Sequence, residues 1–101
     1  MVDVGFCGVD RGRIGKGGEV MYWQPDGSDP HVIGEVHKAG DAPQLVAQAI
    51  QKLVAEGGKV VWQPNDYCAI VRVGFMDWYI TEMSCSAGDR VQMQSGRMRR
   101  D

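Results

Sequence analysis

His31, Glu35 and His37 occupy alternate positions of one short stretch, His31-Val32-Ile33-Gly34-Glu35-Val36-His37. In an extended chain they share one face and offer the donor types of a transition-metal site. The two imidazoles are nevertheless about 20 Å apart at ~3.3 Å per residue, too far to share one ion. They read as solvent-facing histidines, and neither a metal nor any other cofactor is expected. Three cysteines, Cys7, Cys68 and Cys85, stand at wide spacings without a CxxC pair. A nucleophilic dyad of Cys68 or Cys85 with His31 or His37 is open in principle, since such partners meet in space and not in sequence. Cys68, in Tyr67-Cys68-Ala69-Ile70-Val71, sits where cysteine packs as a small hydrophobe. Cys85, between two serines, is the thiol expected to be exposed. No established catalytic spacing occurs, so the expectation is a non-enzyme, with a Cys–His enzyme as the alternative.

Two further groups could bind a partner. Arg11, Arg13 and Lys16 are interleaved with Gly12, Gly15, Gly17 and Gly18, a basic loop able to meet phosphates. It lacks the GK[ST] ending and the following helix that aim amide groups at a phosphate. Trp23 and Trp62 lie in near-copies of one phrase, Gly17-Gly18-Glu19-Val20-Met21-Tyr22-Trp23-Gln24-Pro25-Asp26 and Gly57-Gly58-Lys59-Val60-Val61-Trp62-Gln63-Pro64-Asn65-Asp66. Each copy reads as a strand delivered into a turn. Aromatic residues at such corners anchor protein partners, so Trp23 and Trp62, with the nearby acids Asp26, Asp29 and Glu35, form the expected partner-binding set.

The elements that must position these groups follow from periodicity. Residues 2 to 9 alternate as a first strand, Glu19 to Gln24 is a second, and His31 to Lys38 is its expected hairpin return across Pro25-Asp26-Gly27-Ser28-Asp29-Pro30. Asp41 and Gln44 have capping-box spacing, and Pro43 suits a first helical turn. Leu45, Val46, Ala49, Ile50, Leu53 and Val54 then form one apolar stripe at helical period, which Gly57 ends. Lys59 to Gln63, Tyr67 to Val73 and Trp78 to Met83 complete a meander. The order (β)ββαβββ predicts an α+β, two-layer sandwich with one helix packed on an antiparallel sheet.

The 101 residues suit one domain. The formal charge is −2, which disfavours a general nucleic-acid or anionic-membrane binder. Charge is uneven: Arg90, Arg97, Arg99 and Arg100 face only Asp89 and Asp101 in the last stretch, leaving about −4 for residues 1 to 88. Residues 1–86 are expected to form the domain, and residues 87–101 a basic, flexible tail that can be removed without loss of stability, or that exchanges across a homodimer. No apolar run approaches the roughly 20 residues of a membrane span. The acidic start and the odd cysteine count predict a reducing cytoplasm.

The Gly40-Asp41 helix start with alanine and leucine at helical spacing after a hairpin looks like the ββα core of HicB-type antitoxins. With the Ala39-Gly40 lead-in and the hairpin that follows, residues 19 to 73 also resemble the layout of small phage anti-CRISPR proteins. The latter resemblance implies a non-catalytic inhibitor that binds a bacterial defence nucleoprotein complex, its acidic surface competing with nucleic acid or with a partner subunit. The alternative is an antitoxin-like, nucleic-acid-associated regulator using Arg11, Arg13, Lys16, Arg97, Arg99 and Arg100 as phosphate contacts.

Overall fold

The computed structural model describes residues 21–86 and 88–100, and the expected first strand and the basic loop at 11–18 lie outside them. The elements are β1 (Met21–Pro25), β2 (His31–Glu35), α1 (Asp41–Ala55), β3 (Lys59–Asn65), β4 (Cys68–Val73), β5 (Met76–Cys85), β6 (Gly88–Gln94) and β7 (Gly96–Arg100). Five strands form one antiparallel sheet in the order β2-β6-β5-β4-β3, and β1 and β7 form a separate two-stranded ribbon. The expected α+β arrangement of one helix on an antiparallel sheet is therefore present.

Helix α1 forms because its stripe has somewhere to go. Ala42, Val46, Ala49 and Leu53 are buried against Val71, Ile80, Val91 and Met93 of the sheet, with Leu45 and Ile50 at the margin, whereas Val54 is left largely exposed. Its start differs from the capping box read in the sequence. Gly40 occupies the N-cap with φ of 95°, and the Asp41 carboxylate turns back to accept the amides of His37 and Lys38 at 3.0 and 3.1 Å. A left-handed glycine brings the loop alongside the first turn, so the acid fastens the loop instead of capping the helix. At the other end Gly57, φ 98°, donates to the Val54 carbonyl at 2.9 Å and closes the helix as expected.

The opposite face of the sheet is buried as well. Strands alternate their side chains, and while Val71 and Ile80 face the helix, their neighbours Ile70 and Tyr79 join Cys68, Trp23 and Met98 in a second cluster under the ribbon. Cys68, Ala69, Ile70 and Val71 are all fully buried, the continuous apolar run of a strand covered on both sides.

Two expectations are corrected. Met21–Pro25 and His31–Glu35 are not a hairpin: β1 pairs with β7 and β2 with β6. The Asp26-Gly27-Ser28 segment is tied to the turn between β6 and β7, where the Asp26 amide donates to the Ser95 carbonyl at 3.2 Å. Residues 88–100 are also not a free tail. β6 lies inside the sheet between β2 and β5, with Val91 at 0% and Met93 at 6% exposure. An inner strand gains backbone hydrogen bonds on both edges, so two apolar residues are enough to seat it. Because β7 finds β1 within the same chain, the C-terminal segment needs no second copy to pair with. No helix among the described residues is long and apolar enough to cross a membrane.

Candidate functional site

The site grows from the β4–β5 hairpin. Gly74 takes a positive φ of 63°, which lets Val73 and Met76 pair directly across a tight turn. The other turn residue, Phe75, is 90% exposed. Turns ordinarily carry polar residues and glycine, and a full aromatic side chain in water gains nothing for the fold.

The hairpin is stiffened at its base. Asp77, 4% exposed, accepts Arg72 Nε on Oδ1 at 2.7 Å and the Met98 amide on Oδ2 at 2.8 Å. Its backbone carbonyl accepts the Trp23 indole N–H at 2.7 Å. One residue thus joins β4, β5, β7 and β1. The Asp77 carboxylate raises the Arg72 guanidinium above its ordinary pKa through the hydrogen bond.

Beside the hairpin the ribbon turns its other face outward. Trp23 and Met98 are register partners and point inward, so Gln24, Arg97 and Arg99, one position off in register, point away. Gln24, Pro25, Asp26, Met76, Arg97 and Arg99 line an open cleft of about 360 Å³. Arg99 Nη1 donates to Gln24 Oε1 at 3.1 Å, and among the described residues neither Arg97 nor Arg99 has an ion pair. Asp26, at the rim, is already engaged: its carboxylate accepts the Ser28 hydroxyl and amide at 2.7 and 2.9 Å and the Ser95 hydroxyl at 2.8 Å. These bonds, the Ser28 hydroxyl foremost, hold it below the usual carboxylate range.

The partner-binding set read from the sequence is not one surface. Trp23 is buried at 5% exposure, its ring 5.1 Å from Tyr79, and the Trp62 ring lies 6.4 Å from the same Tyr79. The echoed tryptophans therefore belong to one core cluster around Tyr79. Asp29 and Glu35 are exposed but are separated by the length of β2, Asp29 in the segment before it and Glu35 at its end, and Glu35 Oε1 faces His37 Nε2 at 3.5 Å. His31 rests against Trp78 at 6.0 Å, and no cluster of metal-ligating side chains occurs among the described residues. Cys68 is disulfide-bonded and fully buried, which leaves it no thiolate with which to attack. Arg11, Arg13 and Lys16 lie outside the described residues, and the backbone of Arg100 pairs with Met21 at the ribbon end.

Phe75 and Asp77 are the residues that sequence reasoning missed. The signals were present as a large aromatic directly after a turn glycine, and a lone acid inside an otherwise apolar strand, Met76-Asp77-Trp78-Tyr79-Ile80. Comparison with protein-family models, curated proteins and solved structures finds no match to this chain.

Proposed function

We propose that this protein is a non-enzymatic inhibitor that works by binding, with Phe75 as its anchor. In this reading the chain acts as the anti-CRISPR resemblance implies, occupying the surface of a defence nucleoprotein complex. The observation that carries the binding reading is the exposure of Phe75, 90%, on a hairpin whose base is fixed by Asp77. An aromatic presented on a stiff support loses little conformational freedom when it docks, which is what a binding anchor requires. The exposed acids Asp29 and Glu35 would assist approach to a basic surface more than hold it.

The test is capture from bacterial lysate by immobilised protein. Phe75→Ser should retain the melting temperature and lose the captured species through faster dissociation, whereas Asp29→Lys with Glu35→Lys should slow association. Capture that is unchanged by Phe75→Ser overturns the anchor. The Cys68 disulfide is a pairing typical of oxidising compartments. Alkylation of free thiols in intact cells reads its state directly, and a disulfide persisting there places the site of action outside a reducing cytoplasm.

A further inference from the structure

We infer that the Arg97–Arg99 face of the ribbon, together with Phe75, is a binding surface for single-stranded nucleic acid. The inference rests on the binding reading above and names what the anchor touches on a nucleoprotein target. Arg97 and Arg99 are two residues apart on one face of one strand, so their Cα atoms are about 6.6 Å apart at ~3.3 Å per residue. A stretched single strand presents successive phosphates at a comparable spacing.

Both guanidiniums stand on a paired ribbon, lack an ion-pair partner among the described residues, and border an open cleft. With Asp26 on the rim the cleft keeps a net positive charge, and the lone pairs of that carboxylate are turned toward Ser28 and Ser95. Met76 lines the same cleft and is the chain neighbour of Phe75, whose exposed ring supplies the stacking platform. Cationic side chains that track phosphates beside an aromatic face for a base are the two components of sequence-tolerant single-strand binding. An acidic peptide would use the two arginines but would gain no stacking from Phe75, so the combination favours a nucleobase polymer. The chain's overall charge of −2 does not oppose this, because the charge that matters is local to the cleft.

The experiment is fluorescence anisotropy of a short labelled oligothymidylate with the full chain, starting at low salt and repeated across a salt series. Two phosphate contacts on a single strand should give a log–log salt slope of about −1.4. Arg97→Gln and Arg99→Gln should each flatten it by about 0.7, and Phe75→Ala should weaken binding roughly five- to hundredfold without changing the slope. Unchanged melting temperatures establish that each variant is folded, and amide shifts in NMR titration should map to 96–99 and 74–76. Absence of binding, binding indifferent to the three substitutions, or equal competition by polyglutamate overturns the inference. Phe75-dependent capture from nuclease-treated lysate without oligonucleotide binding would keep the binding reading and sink this one, and oligonucleotide binding without such capture would do the reverse.

Discussion

The two faces of the five-stranded sheet are closed in different ways. On one side a single helix, formed from consecutive residues, lays Val46, Ala49 and Leu53 onto Val71 and Ile80. On the other a ribbon assembled from chain segments more than seventy residues apart, Met21–Pro25 and Gly96–Arg100, covers Ile70 and Tyr79 with Trp23 and Met98. The helix face depends on local periodicity and apolar area. The ribbon face adds specific polar ties, since Asp77 bonds to Trp23 and Met98 through its carbonyl and its carboxylate. The helix side thus supplies general stability, and the ribbon side fixes the orientation of the hairpin that presents Phe75.

Breaking the shared sheet or the helix face should have the largest effect. Deleting residues 89–101, dispensable on the sequence reading, removes most of an inner strand, and Leu53→Asp places a charge at a position 2% exposed. Each should cost more than a domain with roughly 5 to 15 kcal/mol of stability can tolerate. A thermal melt followed by circular dichroism should show no cooperative transition for either.

The ribbon face should yield next. Trp23→Ala removes a buried ring and leaves the Asp77 carbonyl without its indole donor, a loss of about 3 to 5 kcal/mol. Urea unfolding should show a lowered midpoint while helical circular dichroism persists below the transition. Gly96 sharpens the comparison, because a Cβ there would run into the Gln24 backbone carbonyl and lie 2.6 Å from the Trp23 ring. Gly96→Ala should therefore displace the ribbon by overpacking and leave α1 unaffected.

Acid should act on both faces with a smaller effect. Asp26 fastens the ribbon-side turn and Asp41 the loop before the helix, and hydrogen bonds, chiefly from the Ser28 hydroxyl and the His37 amide respectively, lower both pKa values. A carboxyl whose folded pKa is depressed contributes stability above its unfolded value, near 3.9, that is lost as pH falls through the lower folded one. Stability should therefore decline below about pH 4. Asp26→Asn and Asp41→Asn should each remove part of that decline, measured as urea midpoints between neutral and acid pH.

The helix face was legible in the sequence because Leu45, Val46, Ala49, Ile50 and Leu53 repeat at short range, and Gly57 marks their end. The ribbon face was not, because pairing Trp23 with Met98 depends on a contact 75 positions away in the chain, and a polar segment such as Arg90-Val91-Gln92-Met93-Gln94 looks too poor in apolar residues to pack unless its two neighbouring strands are known. The run Cys68-Ala69-Ile70-Val71 did carry the information that β4 is covered on both faces, since a strand with one wet side alternates. The site was hidden for a related reason. Trp23 looks like a surface anchor until its indole is seen to serve Asp77, and Phe75, in the connection between the strands read at Tyr67 to Val73 and Trp78 to Met83, stands out only once Gly74 places it at the tip of a tight hairpin.

The most direct test of the account is hydrogen exchange of the tryptophan indoles and backbone amides by NMR under native conditions. If the ribbon closes the second face, the Trp23 indole and the Met98 amide, both bonded to Asp77, should exchange as slowly as the amides of β4, and Phe75 should keep its exposed chemical shift. Exchange of Met98 and Trp23 at the rate of an unprotected chain would mean that the C-terminal strand is not docked, that the hairpin base is not fixed, and that the surface assigned to Phe75, Arg97 and Arg99 does not exist as a unit.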